Sequence, residues 1–396
     1  MYLLTIVITI ILIEFVIQYL IKKVKKEFPW FLENQDIYPN FDNKKFKNFI
    51  KLSFDKKLGW KRKSNTTGFD KVGKNKIKFS IDKNGYRKLK LKKKPLVVSF
   101  GGSYVFGRQV KDEETWQEQI SKKNNFNILN YGVGNYGTDQ ALLYYQSKKF
   151  NKQTKLAILG IVPEHISRIQ SEWKHFSEFG NIHGFKPKFE FKKNKLQLKE
   201  NILNKNTSIK DLNKIIKKIQ ETDRFFKDRF LKSLFKFPYL LNFIRNFNFN
   251  IKVIFTFFKY KKNSQIKKDL FLDYVINKNI NDSHRLFLEN YSQRLFLEIF
   301  KKFKLEALKN KHKSMVVVFP MMQDIKKNSN INYTNYFNNI VSKEIKVLDL
   351  KNEIKKNDLK KLYVNKINGS HFNKYGNKIV SKKIEQFIKK EFNEIF

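Results

Sequence analysis

No cysteine occurs in the 396 residues. Disulfides, thiolate nucleophiles and cysteine-held metals are therefore excluded, while the compartment stays open, because many exported bacterial proteins also lack cysteine. Arginine is scarce too: it makes up nine of the 82 basic residues, the rest being lysine scattered among Asn, Ile and Phe. Against 36 acidic residues this gives a formal charge of +46, a balance that would suit phosphate binding by counterion release. The pattern argues otherwise. Zinc-ligand spacing, an RNP-like aromatic motif and a concentrated basic helix are all missing, so nucleic acid is not an expected partner. There is no internal repeat. What is abundant is apolar, with 41% hydrophobic and 15% aromatic residues, enough for a sizeable core in one large domain or two smaller ones.

The stretch YLLTIVITIILIEFVIQYLI, Tyr2 to Ile21, carries one formal charge, Glu14. A helix of that length covers roughly 30 Å, the thickness of a hydrocarbon layer. No basic segment precedes it and no small-residue cleavage site follows, which weakens a signal peptide. A buried core helix would show a wider polar face than Glu14 and Gln18 provide. The expectation is a single-pass membrane anchor over residues 1–26. Lys22, Lys23, Lys25 and Lys26 flank its C-terminal end, which favours a cytoplasmic body by the positive-inside tendency and leaves export open.

Residues 27–94 read as a basic connecting region, with a turn at Asn84-Gly85 near its end. Five short β-branched runs follow, PLVVSF, FNILNYGVG, KLAILGIV, SMVVVFP and IKVLDL. Continuous apolar runs of this length suit strands of a parallel sheet buried on both faces. DEETWQEQI and DQALLYYQSKKF fit crossover helices between them, and the alternation predicts a doubly wound α/β domain from residues 95–170 and 305–396. The interval 171–304 is too long for one crossover. It opens as a hairpin turning at Asn194 and continues as helices. Its Phe- and Lys-rich part reads as a helical cap whose aromatics pack on the core, the alternative being an amphipathic segment lying on anionic lipid.

In open α/β sheets, ligands bind beyond the carboxyl ends of the strands. The first run ends in Gly101-Gly102-Ser103, where glycines let the backbone turn sharply beside a hydroxyl. Its amide could face a developing oxyanion. The second ends in NYGVGNYG, whose glycine amides could supply another donor, with Asn135 between Gly134 and Gly137. His371, in NGSHFNKYG before the last helix, could take a proton from Ser103, since an unassisted hydroxyl is a poor nucleophile. Taken singly, the first element is a turn or an anion nest and the last a surface histidine. Their order along the chain joins them.

These blocks resemble the SGNH, or GDSL-type, hydrolase superfamily, in the version found in bacterial proteins linked to cell-surface polysaccharides. The likeness covers roughly residues 80–169 and 314–387. It implies a flavodoxin-like three-layer α/β fold with a five-stranded parallel sheet, carrying here a large, mostly helical insertion. It also implies that Ser103 is the nucleophile, that His371 is the general base, and that the amides of Ser103 and Gly134 form the oxyanion hole. The upstream DKNGYRK resembles an Asn-x-x-Gly-x-Arg element, with Asp82 in place of the Asn. Two departures stand out. Where the family has Asp three residues before the histidine, this chain has Asn368, which can orient an imidazole without stabilising its charge; Asp349 and Asp358 are the carboxylates that could substitute. After the third run, Val162 and Pro163 replace an oxyanion Asn, which leaves Glu164 and His165 as pocket residues.

The expected function is therefore a serine ester hydrolase or acyl transferase needing no cofactor or metal. Its partners would be an acylated glycan or a lipid-linked ester, and the membrane. A degenerate domain that binds glycan or scaffolds a membrane-bound biosynthetic complex, and an interfacial lipid esterase, are the alternatives.

Overall fold

The computed structural model describes residues 2–28, 34–90, 93–178, 180–326, 333–354 and 359–396. Two compact units divide the chain: Met1–Asn48, Ser171–Phe185 and Asn206–Asn279 form the first, and Phe49–Gln170, Lys186–Lys205 and Ile280–Phe396 the second. The N-terminal stretch thus belongs with the middle of the chain. The hairpin expected around Asn194 belongs instead to the second unit.

After a two-residue antiparallel pair, Phe54–Asp55 with Gly59–Trp60, the second unit carries an antiparallel hairpin, β1 (Thr66–Val72) and β2 (Asn75–Ile81). Then come β3 (Lys94–Gly101), β4 (Phe126–Asn130) and β5 (Leu156–Ile161), with the hairpin β6 (Lys188–Lys192) and β7 (Lys195–Lys199) before β8 (Lys313–Val318) and β9 (Lys346–Asp349). The five apolar runs form one sheet in the order β9-β8-β5-β3-β4, parallel at every pairing. Both faces are covered, which is why the runs do not alternate. Val97, Ile128, Ile158 and Val317 pack with Trp116 and Ile120 of one crossover helix and with Ile384 and Ile388 of the C-terminal helix, Lys374–Glu391. Phe100, of opposite parity to Val97 on β3, meets the Tyr145 ring at 5.3 Å, and Tyr145 meets Phe303 at 5.2 Å.

In the first unit a single apolar helix, α1 (Tyr2–Glu27), is exposed along its first half. Its second half buries Ile17, Ile21 and Val24, with Phe28 beyond, against Phe235, Val253, Phe271 and Val275. Phe28 stacks on Phe271 at 4.0 Å. The aromatics of the Phe- and Lys-rich segment do not all turn inward. Phe235 is buried, whereas Phe237, Phe247, Phe255 and Phe258 are exposed. Helical spacing defines a face but not what the face meets.

Candidate active site

Strand order reverses at β3, whose two neighbours are β4 and β5, so the loops leaving these three strands border one crevice. β3 runs close to β5. A Cβ on Gly101 would lie 2.2 Å from the Gly160 carbonyl oxygen and 2.5 Å from Val105 Cγ2, so only glycine fits there. The next residues turn into a short helix, Ser103–Phe106. Ser103 is half-buried and therefore reachable.

From the far end of the chain another hairpin, Tyr363–Asn365 with Gly369–Phe372, carries His371 to this corner. His371 Nε2 lies 2.8 Å from Ser103 Oγ. On the other side of the ring, Nδ1 lies 2.9 Å from Gln109 Oε1 and 3.3 Å from Ser370 Oγ. The Gln109 amide nitrogen donates to the Lys71 carbonyl at 3.1 Å, which turns its oxygen toward the imidazole. An amide oxygen only accepts. Nδ1 must therefore hold the proton, and the Nε2 lone pair is left to face the serine hydroxyl. This arrangement can pass a proton from Ser103 to the ring.

The residue facing Nδ1 is Gln109, and not Asn368 as the family spacing had suggested. Asn368 is buried in the turn before His371, where its carbonyl accepts from Ser370 N at 2.8 Å and Gln323 Nε2 at 2.9 Å. Asp349 ends β9 and accepts from Lys351 N at 2.9 Å; burial pushes its carboxyl up to about 6. Asp358 lies outside the described residues.

Gln109 adopts a left-handed backbone, φ 67°, uncommon for a residue with a side chain. The β1–β2 hairpin holds it there. Its N–H donates to Asp70 Oδ2 at 3.0 Å, and Asp70 Oδ1 accepts from Arg108 Nε at 3.2 Å and Nη2 at 3.1 Å. Arg87, buried, staples the same turn from below. Its guanidinium donates to Asp112 Oδ1 at 2.6 Å, to the Phe106 carbonyl at 2.7 Å, and to the carbonyls of Gly107 and Val110. Arg87 is the arginine of the DKNGYRK stretch, and its partners give that element a structural task.

Gly134 is the open point of the loop after β4. A Cβ there would meet nothing nearer than Arg108 Cδ at 3.8 Å and Arg62 Nη2 at 3.9 Å. Trp60 Nε1 donates to its carbonyl at 3.1 Å. Among the described residues, neither the Ser103 nor the Gly134 amide donates a hydrogen bond within the protein. Asn135, at φ 68°, is the exposed tip of this loop. Glu164 and His165 lie on the exit from β5, both buried. Glu164 pairs with Arg168 Nη2 at 2.8 Å, and Arg168 Nη1 donates to the Tyr136 carbonyl at 3.2 Å. His165 Nδ1 lies 3.1 Å from Thr138 Oγ1, and its Nε2 is the nearest atom to the empty side of Gly102.

Four of the nine arginines thus gather around the crevice. Arg62 lies over the rings of Phe79 at 4.4 Å and Phe106 at 4.1 Å. Burial pushes it down to about 10, against the pull of Asp70. The His371 ring, enclosed between Ser103 and Gln109, is pushed down to about 3 by desolvation and then by Arg108, with Asp70 opposing and Arg168 adding. It is neutral at physiological pH. Among the described residues, no three His, Asp or Glu side chains gather at metal-binding distance.

Gln109, Asp70 and Trp60 escaped sequence reasoning. A neutral amide far from the histidine in the chain matches no spacing rule.

No family model and no curated protein matches the chain. Among solved structures, it is similar to a candidate lipolytic protein of the G-D-S-L family from Desulfitobacterium hafniense DCB-2, at 10% identity and a TM-score of 0.34. The match covers 73% of this chain and 97% of that one.

Proposed function

We propose that the protein is a membrane-anchored serine ester hydrolase or acyl transferase of the SGNH kind. The single observation that carries this reading is the 2.8 Å contact between Ser103 Oγ and His371 Nε2, with the proton-bearing Nδ1 fixed by Gln109. Ser103 Oγ attacks the carbonyl carbon of an ester while His371 Nε2 takes the hydroxyl proton. The amides of Ser103 and Gly134 donate to the oxyanion, each worth a few kcal/mol. When the tetrahedral adduct collapses, the bond to the leaving alcohol breaks and His371 returns the proton to that oxygen. Water, or the hydroxyl of an acceptor, then releases the acyl group from Ser103 by the same steps in reverse.

The substrate class proposed is an O-acyl group on a surface glycan or a lipid-linked glycan. The guanidinium of Arg62 beside Gly134 suits an ester whose neighbouring groups carry negative charge. α1 is the proposed anchor, and the lysines at its end favour a cytoplasmic body. The test is p-nitrophenyl acetate hydrolysis by the full-length protein in detergent, beside Ser103→Ala. Loss of activity in the variant is expected; equal rates would end the catalytic assignment.

One observation favours a second reading, a glycan-binding domain without turnover. The group on Nδ1 is neutral, and desolvation first, then Arg108, push His371 toward deprotonation. Glycan binding that survives Ser103→Ala, together with no labelling by a fluorophosphonate, would select it.

A further inference from the structure

Two helices of the first unit, α6 (Tyr239–Arg245) and α7 (Phe247–Lys259), have their polarity inside out; α2 to α5 are the second-unit helices Ser103–Phe106, Trp116–Lys123, Thr138–Gln146 and His165–Arg168. On α7 the buried side chains are Asn250, Val253 and Thr256. Phe247, Ile251, Phe255 and Phe258 are exposed by 51, 42, 62 and 64%, at spacings that place them on one stripe. A helix facing water shows the opposite arrangement. Inside, Asn250 Nδ2 donates to the Phe243 carbonyl at 2.9 Å, and Thr256 Oγ1 lies 3.1 Å from the Tyr274 hydroxyl. α6 repeats the pattern. Asn242 is buried and donates to the carbonyls of Lys236 and Pro238 at 2.9 and 3.0 Å, while Leu241 and Ile244 are exposed.

The start of α6 is tied to the middle of α1. Glu14 accepts from the Tyr239 amide at 2.6 Å and the Leu240 amide at 3.0 Å, and Gln18 Nε2 donates to the Tyr239 hydroxyl at 3.2 Å. A carboxylate within an apolar span and the orphan amides opening a helix are both costly in hydrocarbon. Here each satisfies the other. At 1.5 Å per residue, Glu14 lies about 18 Å from Tyr2 and about 10 Å from Ile21 along α1. The tie therefore places the start of α6 within the span and nearer its C-terminal end. α7, at about 20 Å, is too short to cross a layer of roughly 30 Å. Lys252 and Lys259 on its exposed side have stems long enough to carry their charge to lipid phosphates.

We propose that α6 and α7 form a second membrane-embedded element, seated in one leaflet against α1, with an anionic phospholipid bilayer as the occupant of their exposed face. This rests on α1 being a membrane anchor and is independent of the esterase chemistry.

The cysteine-free chain allows a direct test. Single substitutions Leu12→Cys, Phe255→Cys, Phe258→Cys and, as an aqueous reference in the second unit, Tyr375→Cys would be made in the full-length protein. Each would carry a nitroxide, in vesicles of phosphatidylethanolamine and phosphatidylglycerol. All four positions are exposed, so folding is undisturbed, which circular dichroism checks. The expected result is preferential collision with oxygen over a nickel chelate at Phe255 and Phe258, as at Leu12, and the reverse at Tyr375. Nickel preference at Phe255 and Phe258 with oxygen preference at Leu12 would overturn the proposal and leave the anchor standing. Protection from both reagents would overturn it in favour of a protein partner or a second copy. Nickel preference at Leu12 as well would remove the anchor, and the proposal with it.

Discussion

A neutral amide on His371 Nδ1 sets the limits of the chemistry proposed for Ser103. Gln109 fixes the tautomer as a carboxylate would, but it adds no charge to stabilise imidazolium. With the ring pushed down to about 3, the base is already deprotonated at any ordinary pH. The acid limb of kcat/KM, which reports the free enzyme's base, should therefore be absent between about pH 5 and 7, where an unperturbed histidine near 6.5 would produce one. Gln109→Glu brings a negative charge to Nδ1, and the limb should climb by about 1–3 pH units. Gln109→Ala removes the neutral hydrogen bond to Nδ1, worth about 1 kcal/mol net. It should lower kcat on p-nitrophenyl acetate roughly fivefold with KM little changed. A pH profile that is the same in the wild type and Gln109→Glu would remove Gln109 from its positioning role, even if both variants were slower.

The element that supports this residue is the β1–β2 hairpin with the Phe106–Val110 turn, and Arg87 joins them. Its guanidinium meets one carboxylate and three carbonyls, a fork that lysine cannot reproduce. Arg87→Ala would leave the Asp112 charge uncompensated and take a donor from each of those carbonyls, a loss of roughly 3–5 kcal/mol. For a unit of this size that lowers the melting temperature by roughly 6–20 °C; differential scanning calorimetry reads it directly, and an unchanged transition would show that the staple is redundant. The sheet strands were legible in the sequence because burial on both faces leaves unbroken apolar runs, as at Val97 to Phe100. The hairpin was not. It buries only Asp70, Phe79 and Ile81 and exposes Lys71, Lys76 and Lys78, so it read as connecting chain. The α7 stripe was visible as a periodicity, but periodicity does not say whether an apolar face meets core or lipid.

Across the whole molecule, the charge of +46 and the apolar α1 offer two different ways to hold a membrane, and they separate with salt. Scattered surface lysines attract anionic headgroups over a Debye length of about 8 Å at physiological ionic strength, which shrinks to about 3 Å at 1 M. Adsorption through lysine alone is then lost. Insertion is not, because removing the exposed residues of α1, from Tyr2 to Val16, from hydrocarbon costs about 25 cal/mol for each Å² returned to water, and salt does not weaken that. Full-length protein bound to phosphatidylglycerol-containing vesicles should therefore float with them after a wash at about 1 M salt. Binding to neutral vesicles should be slower to form but equally resistant. Release at high salt would mean that lysine, not α1, carries the attachment. The helix would then have to be explained as packing within the first unit, where only Ile17, Ile21 and Val24 of its length are buried.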